Sequence, residues 1–396
     1  MISLFAFVLC GLSASAGGSA LSQQQKLDEL LQAIRDGNST LVQRLVSEDQ
    51  SVVHSKIEQV DGKPITPSIT VLEYAALVTG SSEGFRAIVQ TADLSVRDLD
   101  VTWNCVGSAF GPSVRGGVQL VTPDEPEALQ LRKMKLLHSI DSRPVASITT
   151  EGPHPFFTVI SYGWLEAADY LATLIGDVRT LRDDKGRSAV FYADSANAIG
   201  YLCTRGVSAN DRDDLFRTVA YKFEMSSYRE NLQLLVSHGL SLDTVDNFGN
   251  TPLMVAVRVG HLSALDALLH AGASWLDNSP LNNLGPLDLL VRNRKALDLI
   301  TERESNASLI SLFSHSNGDG MTPAESWVWQ YITDREKVRI ARVNWVDWKA
   351  VLDSLKLLKE LGLPIHAGKF PLNLTATLLQ HGYEREAEDL TLLGVE

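Results

Sequence analysis

DNFGNTPLMVAVRVGHLSALDALLHAGA, residues 246–273, is the stretch whose reading decides the fold. Thr251 stands where an N-cap oxygen accepts from first-turn amides, and Pro252 takes the first helical position, where no N–H is needed. Leu253, Ala256 and Val257 share one face at helical spacing, and Ala256 is small enough to let another helix come close. Gly260 is placed to end that helix in the left-handed conformation that glycine tolerates. Leu262, Leu265, Leu268 and Leu269 form the apolar stripe of a second helix, which Gly272 ends in the same way. Two short helices followed by a polar loop cannot bury their apolar faces alone. The unit needs stacked neighbours.

Those neighbours can be read outward from it. Gly206, Gly239 and Gly272 recur at intervals of 33 residues, in YLCTRGVSA, LLVSHGLSL and LLHAGASW. Upstream, LLQAIRDGNSTLVQRLV lays Ala33, Gly37-Asn38 and Leu45-Val46 on Ala256, Gly260-His261 and Leu268-Leu269 without a gap. HPFFTVISYGWLEAADYLATL does the same, with His154-Pro155-Phe156 and Gly163-Trp164 at the Thr-Pro-Leu and Gly-His positions. Thr70 with Glu73, and Thr322 with Glu325, each read as a capping box that opens a helix. Pro286-Leu287 opens a unit with a shortened ending, and Pro371-Leu372 with Gly382 marks a last, distorted one.

The set Asp246, Gly249, Thr251-Pro252-Leu253, Ala256, Gly260-His261, Leu268-Leu269 and Gly272-Ala273 closely resembles the ankyrin repeat, with 246–278 as the clearest copy. The resemblance implies an all-α fold, an ankyrin-repeat solenoid of stacked helix pairs with short β-hairpin-like loops on one edge. About eight or nine divergent repeats would cover 24–394, with insertions near 101–127 and 326–350. The departures from the family pattern are specific. The family usually places His after Thr-Pro-Leu, where Met254, Phe157, Glu73 and Asp288 stand, and several Thr-Pro pairs are lost. Each missing cap costs about 0.5–2 kcal/mol. A less regular and less uniformly stable array is expected.

The 396 residues are 44% hydrophobic and 21% charged, the balance of a folded chain. A net charge of -13 sets the surface against phosphate backbones, so nucleic acid is not expected as a partner. No apolar run is long enough to span a bilayer. The first residues, MISLFAFVLCGLSASAGGSA, hold an apolar stretch from Ile2 to Leu12 and then Ala14-Ser15-Ala16. They read as a signal peptide over 1–16 that lacks a basic n-region, so the expectation is a secreted or exported protein. The alternative is an apolar arm packed on the first repeat of a cytoplasmic protein. Cys10 would leave with the signal, and Cys105 and Cys203 could either form one disulfide outside the cell or be two small buried side chains. Sequons at Asn38, Asn306 and Asn373 matter only on a eukaryotic secretory route.

Aromatic residues concentrate in two places. VTWNCVGSAFGPSVRGGVQLVTPDEPE, 101–127, carries Trp103 and Phe110. ESWVWQYITDREKVRIARVNWVDWKAVLDSLKLLKELG, 325–362, holds Trp327, Trp329, Trp345 and Trp348, four of the seven tryptophans. Insertions in repeat arrays fall on loops, and tryptophan is enriched at binding hot spots. Trp103, Phe110, Trp327 and Trp329 are therefore the candidate partner-binding residues. Against that stands local packing: a β-hairpin or irregular half-repeat in the first case, the core of elongated helices in the second. Trp275, just after Gly272-Ala273, favours packing.

The search for chemistry yields none. GPSVRG, 111–116, puts Arg115 where a nucleophile elbow requires glycine, and neither C-x-x-C nor H-E-x-x-H occurs. Gly368-Lys369 lacks the spacing and hydroxyl of a phosphate loop, and Asn317–Gly320 has too few carboxylates for calcium. His154 and His261 sit at repeat positions, where capping is the default role. No catalytic, cofactor-binding or metal residue is expected. The function this implies is a protein–protein interaction scaffold, using the concave face and loops of the solenoid, with no catalysis of its own. An exported effector or envelope protein that binds a host or periplasmic target is the alternative, and an enzyme with a site in the insertions the remote one.

Overall fold

The computed structural model describes residues 23–60, 63–77, 82–108, 126–141, 143, 145, 154–225, 227–281, 283–336, 346–365 and 373–395. The signal region 1–16, Cys10, Phe110, GPSVRG, Trp345 and Pro371-Leu372 lie outside the described residues. The chain divides into two compact units, 1–155 and 156–396.

The first unit contains α1 (Gln23–Arg35), α2 (Ser39–Glu48), β1 (Lys56–Val60), β2 (Lys63–Thr70), α3 (Val71–Leu77), α4 (Ser82–Thr91), α5 (Val96–Ser108) and α6 (Pro126–Ile140). Gly37 is left-handed (φ 68°) between α1 and α2, and the Asn38 side chain caps α2 by accepting from Leu41 N–H at 3.1 Å. The apolar faces Leu30, Ile34, Val42 and Val46 then close on α4. Gly84 makes that closeness possible, since a Cβ there would sit 2.8 Å from the Ile34 carbonyl oxygen. β1 and β2 pair antiparallel, Lys56 opposite Thr70 and Val60 opposite Lys63. This two-stranded ladder, which the sequence did not single out, leads into α3 through Thr70. Residues 101–108 correct the hairpin reading of the first insertion, because they are helical, within α5.

The second unit runs α7 (Pro155–Tyr162), α8 (Leu165–Ile175), α9 (Ala196–Thr204), α10 (Tyr228–Ser237), α11 (Pro252–Val259), α12 (Leu262–His270), α13 (Arg294–Arg303), α14 (Asn306–Phe313), α15 (Pro323–Glu336), α16 (Trp348–Glu360), α17 (Leu374–Gln380) and α18 (Glu384–Leu393). Single 3₁₀ turns stand in for the first helix of a pair at Ala189–Tyr192, Val219–Tyr221 and Leu287–Arg292. Two layers result. One passes through Val219–Tyr221, α11, Leu287–Arg292, α15 and α17, and the other through α9, α10, α12, α13, α16 and α18. Thr251 caps α11 through Met254 N–H at 3.3 Å, and Gly260 ends it at φ 74°. Gly206, Gly239 and Gly272 are left-handed as their spacing implied. In α12 the buried residues are Leu265 and Leu268 with Ala264 and Ala267, while Leu262 and Leu269 are half-buried.

Candidate protein-interaction surface

Four loops of the second unit are built by one device. Asp183, Asp213, Asp246 and Asn317 each turn a side-chain oxygen back on their own loop. The Asp183 Oδ1 accepts from Lys185 and Arg187 N–H at 2.9 and 2.8 Å. Asp213 does so from Leu215 and Arg217, Asp246 from Phe248 and Asn250, and Asn317 from Asp319 and Met321, all between 2.8 and 3.1 Å. These residue types favour such turns because the short side chain mimics a backbone acceptor. The residue three places on must then be left-handed. It is Gly186, Gly249 and Gly320 in three loops, but Phe216 (φ 61°) in the second. A further loop, fourth in chain order and one residue longer, begins at Ser279, whose N–H donates to the Leu284 carbonyl at 2.7 Å, and its left-handed residue is Asn283 (φ 59°).

Neighbouring loops are joined through their backbones. Asp214 N–H donates to Lys185 O at 2.9 Å, Asn247 N–H to Leu215 O at 3.0 Å and Gly318 N–H to Asn283 O at 3.0 Å. In the fourth loop the equivalent donor position is Pro280, which has no N–H. Polar pairs brace the loops. Arg187 and the Tyr192 hydroxyl both donate to Asp183 Oδ2 at 2.6 Å. Burial would raise the Asp183 carboxyl, but the hydrogen bonds from Tyr192, Arg187 and Lys185 hold it below the usual carboxylate range. Arg217 grips Asp213 in the same way, Nη2 to Oδ2 at 2.9 Å.

What these braced loops expose is apolar. Phe216 is 56% exposed, Phe248 62% and Leu281 67%, and Leu215 is exposed beside Phe216. The backbone bond between Asn247 and Leu215 sets the second and third loops side by side. Leu281 lies against the third loop, since a Cβ on Gly249 would meet its Cγ at 2.9 Å. Charged and amide groups flank the patch, Asp184 and Lys185 on one side and the Asn283–Asp319 hydrogen bond (2.7 Å) on the other. An apolar centre with a polar rim, on loops locked by side-chain and backbone hydrogen bonds, is the anatomy of a protein-binding patch. Among the described residues no group of three or more His, Cys, Asp or Glu is placed to hold a metal ion.

The residues singled out from the sequence fall elsewhere. Trp103 is buried, its Nε1 donating to Asp141 Oδ2 at 3.0 Å, and Trp327 is buried, donating to the Leu287 carbonyl at 3.1 Å. Neither indole reaches a surface, so their partner-binding reading gives way to packing. Trp329, on α15 with Trp327, is 36% exposed and sets an edge against His381. Trp348 donates to Asp389 at 2.8 Å and Trp275 is buried. Cys105 and Cys203 are free, half-buried thiols, and burial pushes Cys105 up to about 12. His261 caps α12, accepting from Ala264 N–H through Nδ1 at 3.2 Å, while His154 bonds the Val145 carbonyl. The loop phenylalanines and leucines carried a signal of their own, an apolar residue two or three places after Asp213, Asp246 and Ser279, beside the buried turn.

A family model for ankyrin repeats matches residues 195–279 in three copies. Among solved structures the chain is similar to the ankyrin repeat domain of Bcl-3, described as a unique member of the IkappaB protein family. The two are 18% identical, with 54% of this chain and 88% of that one covered and a TM-score of 0.41.

Proposed function

We propose that this ankyrin-repeat protein is an interaction module that grips a protein partner through the apolar loop row Phe216, Phe248 and Leu281. Ankyrin repeats are generally protein–protein interaction modules, and the observation that carries the finer reading is the exposure of three large apolar side chains on loops whose backbones are fixed. Holding such side chains in water has no folding benefit, so their use lies in a surface that covers them. Pre-ordered loops also spare a partner the entropy of ordering them. Catalysis forms no part of the proposal.

The test uses the full chain with a photo-cross-linking side chain in place of Phe248. A protein partner should be captured there, and the Phe216→Ser/Phe248→Ser variant should bind it at least about tenfold more weakly at unchanged melting temperature. Equal binding by both proteins would remove the loop row from the interface. Residues 1–16 favour the exported form of this reading. An intact mass starting at Gly17, on protein from its native source, supports it; a start at Met1 returns the partner search to the cytosol.

A further inference from the structure

The last helix pair carries a second surface with a different chemistry. α17 and α18 are joined by a short turn, and a groove of about 510 Å³ runs between them on the side away from α15 and α16. Its apolar parts are Leu379, Ala387 and Leu392, of which Leu379 is 52% and Leu392 87% exposed. Two threonines complete the floor as methyl groups. Thr375 Oγ1 donates to the Val395 carbonyl and Thr391 Oγ1 to the Ala387 carbonyl, both at 2.9 Å, so each hydroxyl is spent inside the fold.

The rim is acidic. Glu384 and Glu388 both line the groove, one helical turn apart on α18. Like charges at that spacing repel and destabilise a helix. Among the described residues neither has a cation within ion-pairing distance, and Arg385, the nearest cation in sequence, is not one of the walls. The other acids of α18 are engaged on the opposite face, Glu386 with the Tyr331 hydroxyl (2.6 Å) and Asp389 with Trp348 (2.8 Å). The helix thus divides its carboxylates into an inward pair with donors and an outward pair without.

We infer that this groove docks an amphipathic helix of a protein partner, apolar on one face and basic along its edge. Shape selects a helix, because a furrow between two packed helices accepts the side-chain ridge of a third. Charge selects the basic edge. Lys or Arg flanking the apolar stripe would meet Glu384 and Glu388, whereas a second copy of this acidic chain would bring more carboxylates to the rim.

The experiment pans a displayed library of random peptides on the full chain and counter-selects on the Leu379→Ser/Leu392→Ser variant. Both leucines are exposed, so the variant should fold and melt as the parent does. The expected winners carry a net positive charge and apolar residues at helical spacing. Their binding, read by fluorescence anisotropy, should fall at least about tenfold with Glu384→Lys/Glu388→Lys and weaken as salt is raised. Winners without basic residues, or binding unchanged by the charge reversal, would overturn the inference. So would self-association of the parent chain in sedimentation that the leucine variant abolishes, because a second copy would then be the occupant. Loss of the Phe216/Phe248 interaction leaves this test untouched.

Discussion

Two buried carboxylates of the second unit have opposite character. Asp288 is buried, accepting from Gly285 N–H at 2.7 Å and Asn317 Nδ2 at 3.3 Å, and burial pushes its carboxyl up to about 6. A folded-state value above the unfolded one, near 4, means folding favours the protonated form, so this contribution is present at low pH and is lost as pH rises toward 6. Asp288→Asn should therefore melt higher than the parent at pH 7 and show a flatter stability profile between pH 4 and 6. Asp183 behaves in reverse, because hydrogen bonds depress it below the usual range. Its contribution is present at neutral pH and fades on acidification, and Asp183→Ala should cost about 1–3 kcal/mol at pH 7 by stranding the part-buried donors of Arg187 and Tyr192. Thermal melts across pH read both. The same scale explains a sequence feature that looked like decay. At the position of the family's histidine, Glu73, Glu325, Asp288 and Met254 each accept from the N–H three residues back, at 2.5, 2.8, 2.7 and 3.4 Å. The glutamates were legible as capping boxes. A thioether in that role was not, because methionine is a weak acceptor.

For loops and helices, one residue departs from its own rule. Phe216 holds a left-handed backbone that costs a side chain about 1–2 kcal/mol, where three sister loops use glycine and the Ser279 loop uses asparagine. Phe216→Gly should raise the denaturant midpoint and weaken partner binding together, two signs that a purely structural phenylalanine would not give. Unchanged or lowered stability would show the loop to be unstrained. Gly249→Ala should do the reverse to the fold, since its Cβ would press on Ser279 Oγ at 2.4 Å. The ends of the helix pair 252–270 were legible, as Thr251, Pro252, Gly260 and Gly272 are residues with one dominant use. Its neighbours were harder. Ser188 and Ser195 are successive N-caps seven residues apart, against ten for Thr251 and His261, so a full first helix does not fit and a 3₁₀ turn forms. Reading outward by the closing glycines registers second helices and is blind to that shortening. The candidate site was missed for a related reason. Tryptophan drew attention by size, but large rings in a small-helix stack are worth most when buried, as Trp103 and Trp327 are.

Across the second unit as a whole, neighbours hold one another in two ways. On the second-helix layer, Asp266 of α12 pairs with Arg229 of α10 and, at 2.6 Å, with Arg303 of α13. Asp266→Asn should lower stability by about 1 kcal/mol at low salt and by less at high salt, since these partly exposed pairs are screened. On the loop edge a backbone hydrogen bond joins neighbouring loops, with the Asn283–Asp319 pair added at the last joint, and Pro280 leaves the joint between the third and fourth loops without that backbone donor. Under tension, that omission is a weak rung in a ladder. A molecule stretched in an optical trap should give way first between the Asp246 loop and the Ser279 loop, parting the array into a front that keeps Phe216 and Phe248 and a back that keeps α15 to α18. The apolar row would then lose Leu281 while both fragments stayed folded, so a partner gripping all three side chains would be released by a pull too gentle to unfold a single helix.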